Sequence, residues 1–444
     1  MGVKMNSKIV YAAPLILAAM LPVRAQAQST EGSTALKAAG GATPQADQAG
    51  YFQRDRNVSV RQRPKPEYSK DPIPFGGFQL LANITGGLEL NDNIYASDTN
   101  EKSDTIVRIQ PSAILASNWN RHQLAFTVRA SDNEYLDHDS ESTFDYFAGV
   151  SGRLDVYSGA YVRAGASFER DTEPRTASGV IANTREPVRY YQPAAFLEAV
   201  REFNRVRVTG RADVRDYQYD NANDFYGAPI YEKNRDRTET KLGGKVEYAV
   251  SPDTAVFVQA VANWHDYRNR RPADISRTSN GYDVSVGVNT DISALLRGEV
   301  SVGYLSQSYD DSRFKDISGL GARGQLEWFP SQLTTVTGTV SRSIEDGAVS
   351  SAAGYIASSV GVQVDHELRR NIILTGGLSY ENDDYKGVDR SDDRTGATVS
   401  ATFLINRAVG LNVSYAYYNV DSSGAARDKS YDINRVLASL TYQF

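Results

Sequence analysis

The sequence predicts an all-β fold, a transmembrane antiparallel up-and-down β-barrel of about 18 strands behind a disordered or extended N-terminal periplasmic arm. Three observations carry this. From Gly76 onward, apolar and polar residues alternate in stretches about 10–14 residues long, and a tilted strand needs about 9–11 to cross a bilayer. The links between stretches are alternately tight and long. Mean hydropathy is only −0.45, yet the 27 tyrosines outnumber the 15 phenylalanines and 3 tryptophans together, as expected where rings meet both lipid and water.

The chain opens on an address. Lys4 and Lys8 precede an apolar run from Ile9 to Leu21, and Ala25-Gln26-Ala27 places small residues where a signal peptidase reads, so residues 1–27 read as a signal peptide. The run is far shorter than the ~20 residues of a spanning helix. Residues 28–76 form the periplasmic extension. They begin small and polar at Ser29-Thr30-Glu31-Gly32 and turn basic and proline-bearing at Arg61, Arg63, Pro64, Lys65 and Pro66. Such a composition buries too little apolar surface to offset ordering entropy, so a flexible or extended tether is expected, with partner docking as the alternative.

Residues 77–444 form the barrel. In the last stretch Val436, Ala438, Leu440, Tyr442 and Phe444 share one face, and Arg435, Ser439, Thr441 and Gln443 the other. Val206, Val208 and Val214 likewise alternate with Arg207, Arg211, Asp213 and Arg215. Leu242, Val246 and Tyr248 alternate with Lys245 and Glu247, and Leu320, Leu326 and Trp328 with Arg323 and Glu327. Parity does not say which face is inside, because a soluble sandwich also alternates. The links decide for the membrane barrel. Tight ones fall at residues 118–121, 157–159, 204–205, 251–253, 295–297, 330–332, 369–371 and 407–408, and long polar ones lie between them. An even strand count then returns both termini to the periplasmic side of a cell outer membrane.

An arginine facing lipid at the midplane costs about 2–4 kcal/mol, so the charged stripes are expected to line the interior. The lumen-lining candidates are Arg207, Arg211, Asp213, Arg215, Lys245, Glu247, Arg323 and Glu327. They could set a transverse field for polar solutes or pair across strands and stiffen the wall. Tyr217, Tyr219, Tyr267, Tyr304, Tyr309, Tyr415, Tyr417 and Tyr418 are expected in the interfacial girdles, with a sugar-stacking track as the alternative.

Candidate chemistry is sparse. There is no cysteine, which excludes disulfides, thiol nucleophiles, zinc–thiolate sites and an N-terminal lipid anchor. His122, His138, His265 and His366 fall on separate elements, and the neighbours His138-Asp139-Ser140 point apart, so no triad and no enzyme is expected. Acidic residues at Asp310–Asp311 and near Asp383, Asp389 and Asp392 are oxygen donors without calcium-loop spacing; solvated loops are expected, with no metal and no cofactor. Net charge is −6, and −9 without the three cations of the first 27 residues, which argues against nucleic acid as a partner.

The stretch Gly86-Gly87-Leu88-Glu89-Leu90-Asn91-Asp92-Asn93-Ile94-Tyr95-Ala96, followed by Asn100-Glu101-Lys102-Ser103-Asp104 and Ser117-Asn118-Trp119-Asn120-Arg121-His122, resembles the start of the barrel in the Putative beta-barrel porin family of proteobacteria. The closing Leu440-Thr441-Tyr442-Gln443-Phe444 resembles the terminal signal, centred on Tyr442 and Phe444, that the barrel assembly machinery recognises. The resemblance implies a monomeric barrel in outer-membrane lipid and lipopolysaccharide. For some members it implies exopolysaccharide export with a periplasmic export protein. The leading functional expectation is a porin-like channel for hydrophilic solutes. A structural or docking barrel that holds a periplasmic partner through its arm is the alternative.

Overall fold

The computed structural model describes residues 58–177, 184–268, 275–292, 295–347 and 352–444. The expected signal peptide and residues 28–57 lie outside them. The strands are β1 (Phe78–Asn91), β2 (Asp104–Ser117), β3 (Gln123–Tyr135), β4 (Thr143–Tyr157), β5 (Ala160–Thr172) and β6 (Arg189–Phe203). Then come β7 (Val206–Tyr219), β8 (Arg237–Ser251), β9 (Thr254–Tyr267), β10 (Ser279–Ile292), β11 (Leu296–Tyr309) and β12 (Ile317–Ser331). The last third is β13 (Thr334–Asp346), β14 (Gly354–Arg369), β15 (Ile372–Tyr385), β16 (Ser391–Leu404), β17 (Val409–Ser423) and β18 (Tyr431–Gln443).

Each strand pairs antiparallel with its chain neighbours, and β1 closes on β18 from Asn83↔Gln443 to Asn91↔Arg435. The result is a closed antiparallel barrel of 18 strands. Closure gives the backbone N–H and C=O groups partners on both sides of each strand over most of the wall, the condition hydrocarbon imposes. Two internal prolines leave visible gaps, because proline has no N–H to donate. The β2–β3 ladder skips from Ile109↔Asp132 to Ser112↔Arg129 around Pro111, and the β6–β7 ladder skips around Pro193.

Tight links gather at one end and long loops at the other, as the sequence spacing predicts. At the tight end Asn204 (φ 51°) and Gly159 (φ 74°) adopt left-handed backbone, which Asn and Gly tolerate at turns. The chain enters at this same end: a short strand, Ile73–Phe75, folds back on β1 with Phe75 opposite Phe78. Among the described residues no helix is long and apolar enough to cross a membrane.

The faces of the wall invert the pattern of a soluble core. Leu242, Val246 and Tyr248 on β8 and Leu320 and Trp328 on β12 are exposed, Leu320 by 74%. Glu89, Arg108, Arg207, Glu247, Asp365 and Glu381, on the other parity, are all buried. Apolar-out, polar-in is the arrangement of a barrel solvated by lipid.

Candidate functional site: a charged interior with both mouths occupied

The interior is identified by contacts that only an enclosed space allows. Lys245 on β8 donates from Nζ to Glu299 on β11 at 2.8 Å, three strands further round the wall. Residues that far apart along a closed sheet meet only through its inside. Lys245 also lies 3.3 Å from Glu247, which faces Arg207 on β7. Next to this group Glu198 on β6 bridges Arg163 at 3.0 Å and Arg211 at 3.3 Å, and Arg211 pairs with Asp213 at 2.8 Å. Arg215 donates to the Tyr217 hydroxyl, Glu327 pairs with Arg297, and Arg323 lies in the field of Asp283.

The eight sequence-derived candidates therefore stand on the inward parity, in two groups. Arg207, Arg211, Asp213, Arg215, Lys245 and Glu247 form one belt on β7 and β8, and Arg323 and Glu327 stand apart on β12. Most are neutralised by a neighbour within 4 Å, so the field they make is local and alternating in sign. Cross-strand pairing of this kind stiffens the wall.

The tyrosines correct the girdle expectation. Tyr304 and Tyr415 lie on the lipid face, and Tyr417 shares the outward parity of Tyr415. Tyr217, Tyr219, Tyr267, Tyr309 and Tyr418 point inward instead. Tyr219, Tyr267, Tyr309 and Tyr418 are buried at the long-loop end, where Arg235 lies 4.2 Å over Tyr219 and Arg237 4.0 Å over Tyr217. Parity held the signal: Tyr217 and Tyr219 carry odd numbers with Arg211 and Arg215, and Tyr267 with His265. Tyr355, Tyr385 and Tyr431, inward as well, continue this arc on β14, β15 and β18.

At the tight end the basic arm is pinned across the mouth. Arg61 Nε donates to Asp365 at 2.7 Å and Nη2 to Thr375 at 3.1 Å; Arg63 and Lys65 converge on Glu367 at 3.3 and 2.9 Å. The Val60 backbone N–H donates to Thr335 Oγ1 with Val60 itself wholly buried. Gln62 accepts from Arg297 on β11, while Lys70 reaches Gln443 at the β18 end, so the segment spans the mouth from one wall to the opposite one. Burial pulls the Lys65 ammonium below its ordinary pKa, and the Glu367 carboxylate offsets part of that pull. The described part of the arm, residues 58–76, turns at Ser59–Arg63, forms a short 3-10 helix at Pro66–Tyr68 and is held by its own barrel.

At the long-loop end the loops fold inward. Arg175, in the β5–β6 loop, is clamped by Glu141 at 2.6 Å, and the carbonyl of Thr176 accepts from Arg394 on β16 (3.3 Å) and from Tyr431 on β18 (3.4 Å). This loop thereby reaches to the far wall. Three apolar clusters fill the rim: Ala96 with Tyr418, Val420 and Ile433; Tyr309 with Ile317, Ala353 and Ile356; and Ala352 with Tyr355, Ala357 and Tyr385.

Each histidine is engaged separately: His122 with Asp155, His138 with Asp104, His265 with Asp346, and His366 with Thr334. Glu239, His265 and Asp346 bring three potential metal ligands within 4.8 Å. Arg237 already bonds Glu239 at 2.9 Å and lies 3.4 Å from Asp346, a cation in the place a metal would take. The acidic residues near Asp383 are compensated too. Asp383 binds Arg394 at 2.9 Å and Asp392 binds Arg390 at 2.6 Å, so these two are paired wall residues, whereas Asp310, Asp311 and Asp389 lie in loops.

No curated protein sequence matches the chain. Among solved structures, the outer membrane protein OpdK from Pseudomonas aeruginosa is similar at 10% identity and TM-score 0.45, over 83% of this chain and 99% of that one. The siderophore receptor PirA from Pseudomonas aeruginosa matches at 11% identity and TM-score 0.43, over 84% and 81%. The copper transporter OprC matches at 10% identity and TM-score 0.47, over 84% and 82%. The model of one family, Putative beta-barrel porin 2, matches residues 65–444, which is the docked part of the arm from Lys65 together with the whole barrel. The chain belongs to that family, and it is an outer-membrane β-barrel of porin-like fold.

Proposed function

We propose that the protein is a channel for hydrophilic solutes across the outer membrane, with polysaccharide as the cargo class. The carrying observation is the inverted wall: charges that meet through the inside, as Lys245 does with Glu299, and exposed apolar side chains outside. A closed wall of this polarity and strand number encloses space that favours water and polar solutes over lipid. The inward tyrosines support a sugar cargo, because an amphipathic ring offers a flat face to a pyranose and a hydroxyl to its polar rim.

The tight-turn end, with both termini, is assigned to the periplasm and the long-loop end to the cell surface. Tyr442 and Phe444 serve as the signal to the assembly machinery, and the barrel acts as a monomer amid lipopolysaccharide. No chemical step is assigned to it, since its histidines sit on separate, locally paired sites. A docking role for the arm would require a partner to displace Arg61, Arg63 and Lys65 from Asp365 and Glu367. Transport is therefore the reading the geometry favours.

The test is conductance in planar bilayers. Discrete steps that long oligosaccharides perturb are expected. Silence across several preparations, including protein lacking residues 58–70, would overturn the proposal.

A further inference from the structure

One seam of the barrel is open at its long-loop end. The β12–β13 ladder stops at Ala322↔Arg342. Beyond it, Ile317–Gly321 of β12 stay paired to β11 alone, and Ser343–Asp346 of β13 pair only with β14, from Ser343↔Ala357 to Asp346↔Gly354. The free edge of β13, Ser343–Asp346, has curled inside, carried on the end of β14, which stays paired to β15 from Ala357↔Asp383 to Tyr355↔Tyr385. Ile344 and Ile356 pack with Tyr309, Phe314 and Ile317 of the β11–β12 hairpin. Asp346 reaches β9 and β8: it accepts from His265 at 3.0 Å and from the Tyr267 hydroxyl at 3.1 Å, and it pairs with Arg237 at 3.4 Å. The freed edge is only patched. Arg342 donates from Nε to the Leu320 carbonyl at 3.1 Å, and Leu320 is left 74% exposed.

The side-chain pattern of the two free edges suits a closed seam. Continuing the register past Ala322↔Arg342 would set Gly321 opposite Ser343, Leu320 opposite Ile344 and Gly319 opposite Glu345. Leu320 and Ile344 would then form an apolar pair on the lipid face. Ser343 and Glu345 would face the interior opposite two glycines, which leave room for them. An unpaired sheet edge is an unstable feature that proteins normally cover. We infer that residues 343–346, flexing with the end of β14 that carries them, form a two-position gate: folded inward, as seen here, they narrow the surface mouth under the Asp346 pin; zipped onto β12, they widen it. The gating consequence rests on the channel reading, whereas the two positions do not.

The chain has no cysteine, so paired cysteines report position cleanly. In the inward position a Cβ on Gly319 would lie 3.8 Å from Ile356 Cδ1, so G319C/I356C should cross-link readily with a short bifunctional thiol reagent. L320C/I344C, directly opposite in the zipped register, should cross-link slowly. Removing the pin with Asp346→Ala should make L320C/I344C cross-linking about tenfold faster and slow G319C/I356C, in line with the loss of bonds to a charged group. If L320C/I344C fails to cross-link in either background while the barrel stays folded by heat-modifiable gel mobility, the two-position gate is overturned. If cross-linking behaves as expected but oxidised L320C/I344C protein shows no rise in conductance, the gate stands as a moving element and the channel reading fails.

Discussion

Protein segments cross the two ends of the barrel, and different physics holds them there. At the tight-turn end a single segment crosses the mouth, held by ion pairs from Arg61, Arg63 and Lys65 to two carboxylates, with little apolar burial beyond Val60. At the long-loop end the rim is filled by apolar clusters and inward tyrosines, with buried pairs such as Arg394–Asp383 between them. A charge-held bar can leave as a unit when its pairs are exchanged for water and salt. A packed rim comes apart only by losing contacts that nothing in solution replaces.

That contrast can be broken at its strongest point by core truncation at the long-loop end. Ile356→Ala should cost about 2–4 kcal/mol in urea unfolding from lipid vesicles, through lost transfer energy and a residual cavity, without changing tryptic cleavage of the arm. An equal loss of arm protection would mean that the two ends are one cooperative unit. A smaller effect is expected at the other end. Asp365→Asn combined with Glu367→Gln should free the arm, each charge-assisted bond contributing about 1.5–3 kcal/mol to docking. Cleavage after Arg61 should quicken by an order of magnitude or more and conductance should rise, while the unfolding midpoint moves little.

Salt sharpens the comparison further. The screening length falls from about 10 Å at 0.1 M to about 3 Å at 1 M, so high ionic strength should speed cleavage at Arg61 modestly and leave the long-loop end unchanged. Insensitivity to salt would show that Val60 and the backbone bonds, not the charges, hold the bar. The smallest effect is expected inside. Arg323→Ala, at an exposed position on the inner wall, should change stability by less than about 0.5 kcal/mol yet shift the reversal potential toward cations. An unchanged potential would place the selectivity-determining charges elsewhere, with the β7–β8 belt the next to test.

Much of the architecture was legible in local pattern. The tight links at 204–205 and 369–371 and the long loops between them mark the strand boundaries closely, because turn chemistry is local and a spanning strand has a minimum length. The charged stripe on β7 was readable from the cost of placing Arg207, Arg211 and Arg215 against lipid. Tyrosine content alone does not separate girdle from lumen, whereas parity does: Tyr219 and Tyr267 share the inner face with Arg215 and His265, and a ring suited to an interface is equally suited to a polar interior.

Three features depended on residues far apart in the chain, by 304, 218 and 81 positions. Arg61 meets Asp365, Thr176 meets Arg394, and Asp346 crosses from β13 to His265 on β9, and no periodicity encodes such meetings. Alternation of period two specifies strands and two unlike faces, and alternating link lengths specify an even, up-and-down barrel. Which segments then turn back into the enclosed space, and whether the β12–β13 edges zip or part, is set by the competition of long-range contacts inside the closed wall. Those contacts come into being only once the ring has closed.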